Sequence, residues 1–132
     1  MGMYTEVWFR AEIKPKHWSA VDLAIEASEA WSNEPPHDHP FFKTARWPMV
    51  FRGRSYYFPQ PGFFRWDQPV DHYGRDMREL AFQSSLKNYD FEIEAFFDWI
   101  TPLTAAEPGG FLGYSLYEES NTPVLYHVKG EW

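Results

Sequence analysis

The sequence contains no cysteine, few cations and no long apolar run. Without cysteine it has no disulfide framework, Fe-S cluster, Cys-ligated zinc or cysteine nucleophile. The 12 Lys and Arg residues against 19 Asp and Glu give a net charge of -7, which argues against duplex DNA as a partner. No apolar run approaches the roughly 18 residues of a membrane span, and the N-terminus lacks signal-peptide features. We expect a cytoplasmic protein with no membrane partner.

Aromatic residues, in contrast, make up 20% of the 132 residues. This length suits one compact domain, so we assign residues 1–132 to a single domain. Each buried ring removes roughly 150–250 Å² from water, which predicts a ring-rich core with some rings left over for a surface. Such a surplus also favours a homo-oligomer.

The first half of the chain predicts a strand, a helix and three further strands. Residues 4–13 alternate between apolar and polar side chains, as in a half-buried strand. Ser19 and Asp22 resemble a capping box for a helix over residues 20–31. We expect its buried stripe to consist of Leu23, Ala24, Ala27 and Trp31. Residues 49–67 then predict three short strands with turns at Gly53 and at residues 59–62.

The second half predicts a strand, a helix and two final strands. Residues 80–87 alternate again, and Asn88 is a good N-cap for the helix that follows. Residues 111–118 and 123–129 are the last strands. The apolar stripe of this second helix, at 3.6-residue spacing, consists of Ile93, Phe96, Phe97 and Ile100. The order β-α-β-β-β-β-α-β-β predicts an α+β fold, with an antiparallel sheet of about six short strands and two helices on one face.

Residues 46–67 carry four arginines and eight aromatic residues within an acidic protein. Guanidinium groups and aromatic faces together bind flat rings and anionic groups. Arg52 and Arg54 would share one face of a strand. Alternatively, the rings belong to the core and the arginines pair with surface carboxylates such as Glu79. The predicted ligand-binding residues are Arg46, Trp47, Arg52, Arg54, Tyr56, Arg65, Trp66 and Lys87.

Four strings of residues resemble a known family: DHPFFK at 38–43, SYYF at 55–58, KNYD with EIEAFFDWI at 87–100, and GYSLYEE at 113–119. On these the chain is similar to a family of small uncharacterised proteins encoded by bacteriophages and prophages, from residue 4 to about 126. The resemblance implies an accessory gene product made in a bacterial host and directed at host defence. It carries no catalytic residues with it.

Three other patterns admit a functional and a structural interpretation. His37 and His39 could bind Zn or Cu if Glu34 or His72 added ligands, but a polar loop explains the same residues and we predict no metal. Lys87 lies just before a helix N-terminus, whose free N-H groups could bind an anion. Alternatively, Asp90 and Glu92 already satisfy the dipole of this helix. Two acidic stripes could imitate a phosphate backbone or could be solvated outer faces. They consist of Asp22, Glu26 and Glu29, and of Asp90, Glu94 and Asp98.

No catalytic motif is present: the sequence has no G-x-S-x-G, no Walker loop and no H-E-x-x-H. The leading hypothesis is therefore a phage-encoded binding protein, not an enzyme and without a cofactor, that sequesters a small anionic, ring-bearing ligand such as a nucleotide-derived defence signal. A protein-protein inhibitor acting through acidic helix faces or exposed rings is the alternative. A small metal-dependent hydrolase using His37, His39 or His72 is the third hypothesis.

Overall fold

One antiparallel sheet runs through the protein, and the alternating segment near the N-terminus is its central strand. The computed structural model describes residues 3–30, 34–54, 63–67 and 77–129. The strands are β1 (Thr5–Ile13), β2 (Phe63–Asp67), β3 (Arg78–Leu86), β4 (Phe111–Tyr117) and β5 (Val124–His127), in the sheet order β2-β3-β1-β4-β5. Every neighbouring pair is antiparallel. The predicted α+β class is confirmed, with five strands in the described residues where about six were expected.

Three helices cover one face of this sheet. They are α1 (Trp18–Ala30), α2 (Trp47–Arg52) and α3 (Glu92–Ile100), with short 3-10 helices at Pro15–His17, Pro40–Lys43 and Thr101–Leu103. In the described ranges no helix is long and apolar enough to cross a membrane.

The core lies between the helices and the strands β1 and β3. The stripe of α3 that the sequence predicted is fully or almost fully buried. Phe96 lies at its centre, with its ring centroid 5.2 Å from that of Phe9 in β1 and 5.4 Å from that of Phe82 in β3. The rings of Phe41 and Phe51 also contact Phe96, each with a centroid distance of 5.6 Å. Edge-to-face packing of this kind adds to the stabilisation that ring burial provides.

The prediction of a strand that starts at Met49 is wrong, because this segment forms the helix α2. Apolar and polar residues alternate loosely in this segment, but Trp47, Val50 and Phe51 are buried together with helical spacing. Pro48 lies in the first turn, where a helix loses no hydrogen bond to proline. Arg52 and Arg54 therefore do not share one face of a strand. The strand predicted just after Gly53 lies outside the described residues, and the third, at residues 63–67, is β2.

The first helix begins earlier and is rotated relative to the prediction. It starts at Trp18, so Ser19 lies inside the helix and does not cap it. The buried side chains are Val21, Ala24, Ile25 and Ser28, whereas Leu23 is 46% exposed. Trp31 lies outside the described residues.

The acidic stripes are shorter than predicted. Asp90 precedes α3, and its carboxylate accepts a hydrogen bond from the backbone N-H of Ala45 at 3.1 Å. Asp22 on α1 accepts from the indole N-H of Trp66 at 2.7 Å and pairs with Arg78 at 3.1 Å. The other members of the two stripes are Glu26 and Glu29 on α1, and Glu94 and Asp98 on α3, and all four are exposed.

Candidate functional site

A cavity of about 230 Å³ lies where β3 ends, between α2 and the start of β1. Three of the predicted ligand-binding residues, Arg46, Arg54 and Lys87, line it together. The remaining lining residues are Tyr4, Met49, Gly53, Ser85 and Leu86.

Gly53 holds the chain against β3 and so brings Arg54 to this cavity. Its N-H closes α2 by donating to the carbonyl of Met49 at 2.7 Å, and its carbonyl accepts from the N-H of Ser85 at 3.0 Å. A Cβ at this position would overlap the Ser85 carbonyl oxygen, so only glycine allows the approach. The Arg54 guanidinium then donates to the Gly53 carbonyl at 2.8 Å and reaches the Gln83 carbonyl at 3.4 Å.

A buried carboxylate positions Arg46 against the turn before α3. Glu92 is fully buried and accepts hydrogen bonds from the N-H groups of Arg46, at 3.1 Å, and Asp90, at 3.0 Å. The N-cap of α3 is Phe91, and not Asn88 as the sequence predicted; Asn88 instead accepts a hydrogen bond from the N-H of Ile93 at 2.9 Å. These bonds tie the start of α2 to the start of α3.

Each of two cations at the cavity lies over a tyrosine ring. The Arg46 Cζ is 5.0 Å from the ring centroid of Tyr89, and the Lys87 Nζ is 5.7 Å from that of Tyr4. Tyr4 is fixed by pairing with Glu118, whose carboxylate accepts from the Tyr4 N-H at 2.6 Å. Tyr89 is 55% exposed, so its ring remains available to a ligand.

The three cations at the cavity differ from the other described arginines in their charge partners. Arg10, Arg52, Arg65 and Arg78 each pair with a carboxylate. Among the residues that the structure describes, no carboxylate forms an ion pair with the cations of the cavity. In a protein of net charge -7, three cations that line one cavity and have no ion-pair partner in the described part of the chain favour the binding of an anion.

The other predicted binding residues lie elsewhere. Trp47 is 5% exposed and packs against Phe42 at 5.0 Å, in the core. Arg52 points to α1, where it donates to the hydroxyl of Ser28 at 3.0 Å.

Arg65 and Trp66 lie on β2, away from the cavity. Arg65 pairs with Glu79. The Trp66 ring lies under the guanidinium of Arg78, whose Cζ is 4.1 Å from the ring centroid. Tyr56 lies outside the described residues.

Sequence reasoning missed Tyr4, which lines the cavity, and Tyr89, whose ring lies against Arg46 beside it. Tyr89 is two residues from Lys87 in a string already noted for its position before a helix, so that string held a usable signal. No sequence signal pointed to Tyr4, because its approach to Lys87 depends on the pairing of β1 with β3.

The two loop histidines have separate structural partners. The His37 Nε2 lies 2.8 Å from the carbonyl oxygen of Ala20. In His39, Nδ1 accepts from the N-H of Phe41 at 3.0 Å and Nε2 is 3.1 Å from the Asp98 carboxylate. Within residues 3–30, 34–54, 63–67 and 77–129, no group of three or more His, Asp or Glu residues could hold a metal ion. His72 lies outside these ranges.

No protein-family model, curated protein or solved structure matches this chain.

Proposed function

We propose that this chain is a phage-encoded binding protein, not an enzyme, that sequesters a small anionic ligand carrying an aromatic ring, of the nucleotide class. The observation that supports this most is the cavity lined by Arg46, Arg54 and Lys87, three cations without a carboxylate partner in the described residues. The resemblance to phage and prophage proteins supports a role in the host cytoplasm against a nucleotide-derived defence signal.

The phosphate of such a ligand fits the cationic part of the cavity. Guanidinium groups donate two parallel hydrogen bonds to a phosphate, and a lysine adds a compact charge. A hydrogen bond to a charged group contributes about 1.5–3 kcal/mol. Phosphate contacts by Arg46, Arg54 and Lys87 would therefore dominate the affinity.

The ring of the ligand would lie at the mouth of the cavity. The volume of about 230 Å³ is below the roughly 300–1,000 Å³ of sites that enclose a whole drug-sized ligand. The exposed ring of Tyr89 beside the cavity offers a face for stacking, worth about 1–3 kcal/mol per base. We expect an affinity that depends on both the anionic group and the ring.

The described lining favours binding over turnover. It offers no imidazole and no carboxylate to act as a general base, and its only hydroxyls belong to Tyr4 and Ser85. A ligand bound by charge and stacking alone should leave the protein chemically unchanged.

The test is calorimetric titration with a panel of linear and cyclic nucleotides, with the matching nucleosides and inorganic phosphate as partial ligands. We expect at least one nucleotide to bind more tightly than its nucleoside and more tightly than phosphate. The double variant Arg46→Gln/Lys87→Gln should weaken that binding at least tenfold, because each contact is charge-assisted. Its melting temperature should stay nearly unchanged, since neither side chain is buried.

The matched control is Lys16→Gln/Lys43→Gln, which removes the same charge from exposed positions outside the cavity. Equal weakening by both variants would show that net charge alone drives binding and would contradict the site. Recovery of a cleaved nucleotide from the complex would contradict the non-enzymatic assignment. If no nucleotide binds, the ligand proposal is wrong.

The alternative is a protein-protein inhibitor, and the exposed carboxylates on two helices favour it. Glu26 and Glu29 on α1, and Glu94 and Asp98 on α3, present two rigid acidic surfaces to solvent. Such surfaces steer binding to a basic partner. Capture of a basic host protein that is lost in Glu26→Gln/Glu29→Gln but kept in Arg46→Gln/Lys87→Gln would establish this function.

A further inference from the structure

The strand β5 ends the sheet, and in the described part of the chain no strand pairs with its outer edge. An unpaired edge presents backbone N-H and C=O groups that can pair with another strand. Exposed apolar side chains lie on this strand and on its neighbour β4: Val124 is 56% exposed, Leu125 55% and Phe111 46%. Val124 and Leu125 point to opposite faces of the strand, so both faces of the edge are apolar.

The helix layer covers this edge only in part, since Val124 on the helix side of β5 is 56% exposed. On the helix side of β5, Tyr126 stacks face to face on Phe97 of α3 at 3.8 Å. Two cavities flank this contact, of about 360 and 530 Å³, and Glu94 lines both of them. A groove therefore runs between α3 and β5.

We propose that this edge is a homodimer interface, in which β5 pairs antiparallel with β5 of a second copy across a two-fold axis. The two sheets would join into one, and Leu125 would lie close to the axis beside its own counterpart. An isologous contact of this type is the commonest way for a protein to self-associate, because one surface serves both partners. Pairing by strand addition satisfies the backbone groups of the edge, and the exposed apolar side chains become buried.

The charges at the two ends of β5 complement each other under this symmetry. The hairpin turn before the strand carries the exposed Glu119, and Lys129 follows the strand at its other end. Antiparallel pairing of two copies brings Lys129 of one copy to the hairpin turn that contains Glu119 of the partner subunit, twice per dimer. A parallel arrangement would instead place like charges together, so the charges select the antiparallel one.

The first experiment measures the mass of the full chain by sedimentation velocity over a hundredfold range of concentration. We expect a monomer-dimer equilibrium. Leu125 is exposed, so folding tolerates a polar residue there. The variant Leu125→Lys should shift the monomer-dimer equilibrium strongly toward monomer, because two cations would then meet near the axis. The matched control is Phe63→Lys, an exposed apolar residue on β2 at the opposite edge of the sheet, and it should leave the equilibrium unchanged.

The second experiment exchanges the charges. Lys129→Glu alone and Glu119→Lys alone should each weaken the dimer about tenfold, because both contacts become repulsive. An equimolar mixture of the two single variants should form a heterodimer, since each contact is then again between opposite charges. Native mass spectrometry distinguishes the heterodimer by its mass. A monomer at every concentration, a dimer insensitive to Leu125→Lys, or a mixture that stays monomeric would each overturn the proposal.

Discussion

The two faces of the sheet use their aromatic residues in opposite ways. Under the helices, Phe9 and Phe82 pack into a closed cluster around Phe96. On the opposite face, Phe111 stacks on Trp8 at 6.1 Å but remains 46% exposed. Both faces carry phenylalanine on neighbouring strands, so the presence of helices over one face decides which rings become core. The opposite face keeps apolar surface available for another molecule.

Replacing one phenylalanine on each face tests this difference most strongly. Phe96→Ala should lower the free energy of unfolding by about 3–5 kcal/mol, because it leaves a cavity among surrounding rings that cannot collapse. Phe111→Ala should cost less than about 1 kcal/mol, since its ring is half in water already. Urea unfolding of the two variants measures both values. Similar losses would show that the hairpin is as tightly packed as the core.

The same difference explains what the sequence could predict. The strand β1 and helix α3 follow from periodicity, because each has a long segment with one buried face. Helix α2 is only six residues long, and a segment this short does not distinguish the alternation of a strand from the periodicity of a helix. The burial of its side chains also depends on packing against β3. Local preference is a weak guide where tertiary contacts decide.

The candidate site was predictable only in part for a related reason. Arg46, Arg54 and Lys87 were recognisable as cations near rings, but their meeting depends on two long-range contacts. In the first, the N-H of Ser85 donates to the carbonyl of Gly53. In the second, the N-H of Arg46 donates to the carboxylate of Glu92. Nothing in the spacing of these residues specifies either contact. The sequence likewise could not separate Arg52, which faces α1, from Arg54, which faces the cavity.

A glycine on strand β4 should be nearly as sensitive to substitution as a core residue. Gly113 lies opposite Phe9 in the pairing of β1 with β4, where a Cβ would overlap the carbonyl oxygen of Trp8. Gly113→Ala should therefore cost about 1–3 kcal/mol, as overpacking usually does. Hydrogen exchange should show faster exchange of β4 and β5 amides while those of α3 stay protected. An unchanged exchange rate in β4 would mean that the hairpin can shift to admit the methyl group at little cost.

The smallest expected effect comes from a hydrogen bond on the sheet face that the helices do not cover. The Tyr114 hydroxyl donates to the buried carboxylate of Glu6 at 2.5 Å, and Gln83 donates to the same carboxylate at 3.1 Å. Tyr114→Phe should cost about 1 kcal/mol, because Gln83 remains and water can reach the half-buried position. Tyr117→Phe, on an exposed ring of the same strand, is the matched control and should change stability by less than about 0.5 kcal/mol.

This hydrogen bond should also give a distinct dependence on pH. Burial, and then the hydrogen bond to Glu6, raise the pKa of Tyr114 well above its usual value. A raised pKa means that folding favours the neutral phenol, so its contribution is fully present below about pH 10, the ordinary pKa of tyrosine. It is lost as the pH rises through the higher pKa of the folded state. The difference in unfolding free energy between the native protein and Tyr114→Phe should therefore be constant from pH 7 to 9 and shrink at more alkaline pH. A difference that instead grew above pH 10 would mean that the phenolate is favoured in the folded protein, contrary to its position beside a carboxylate.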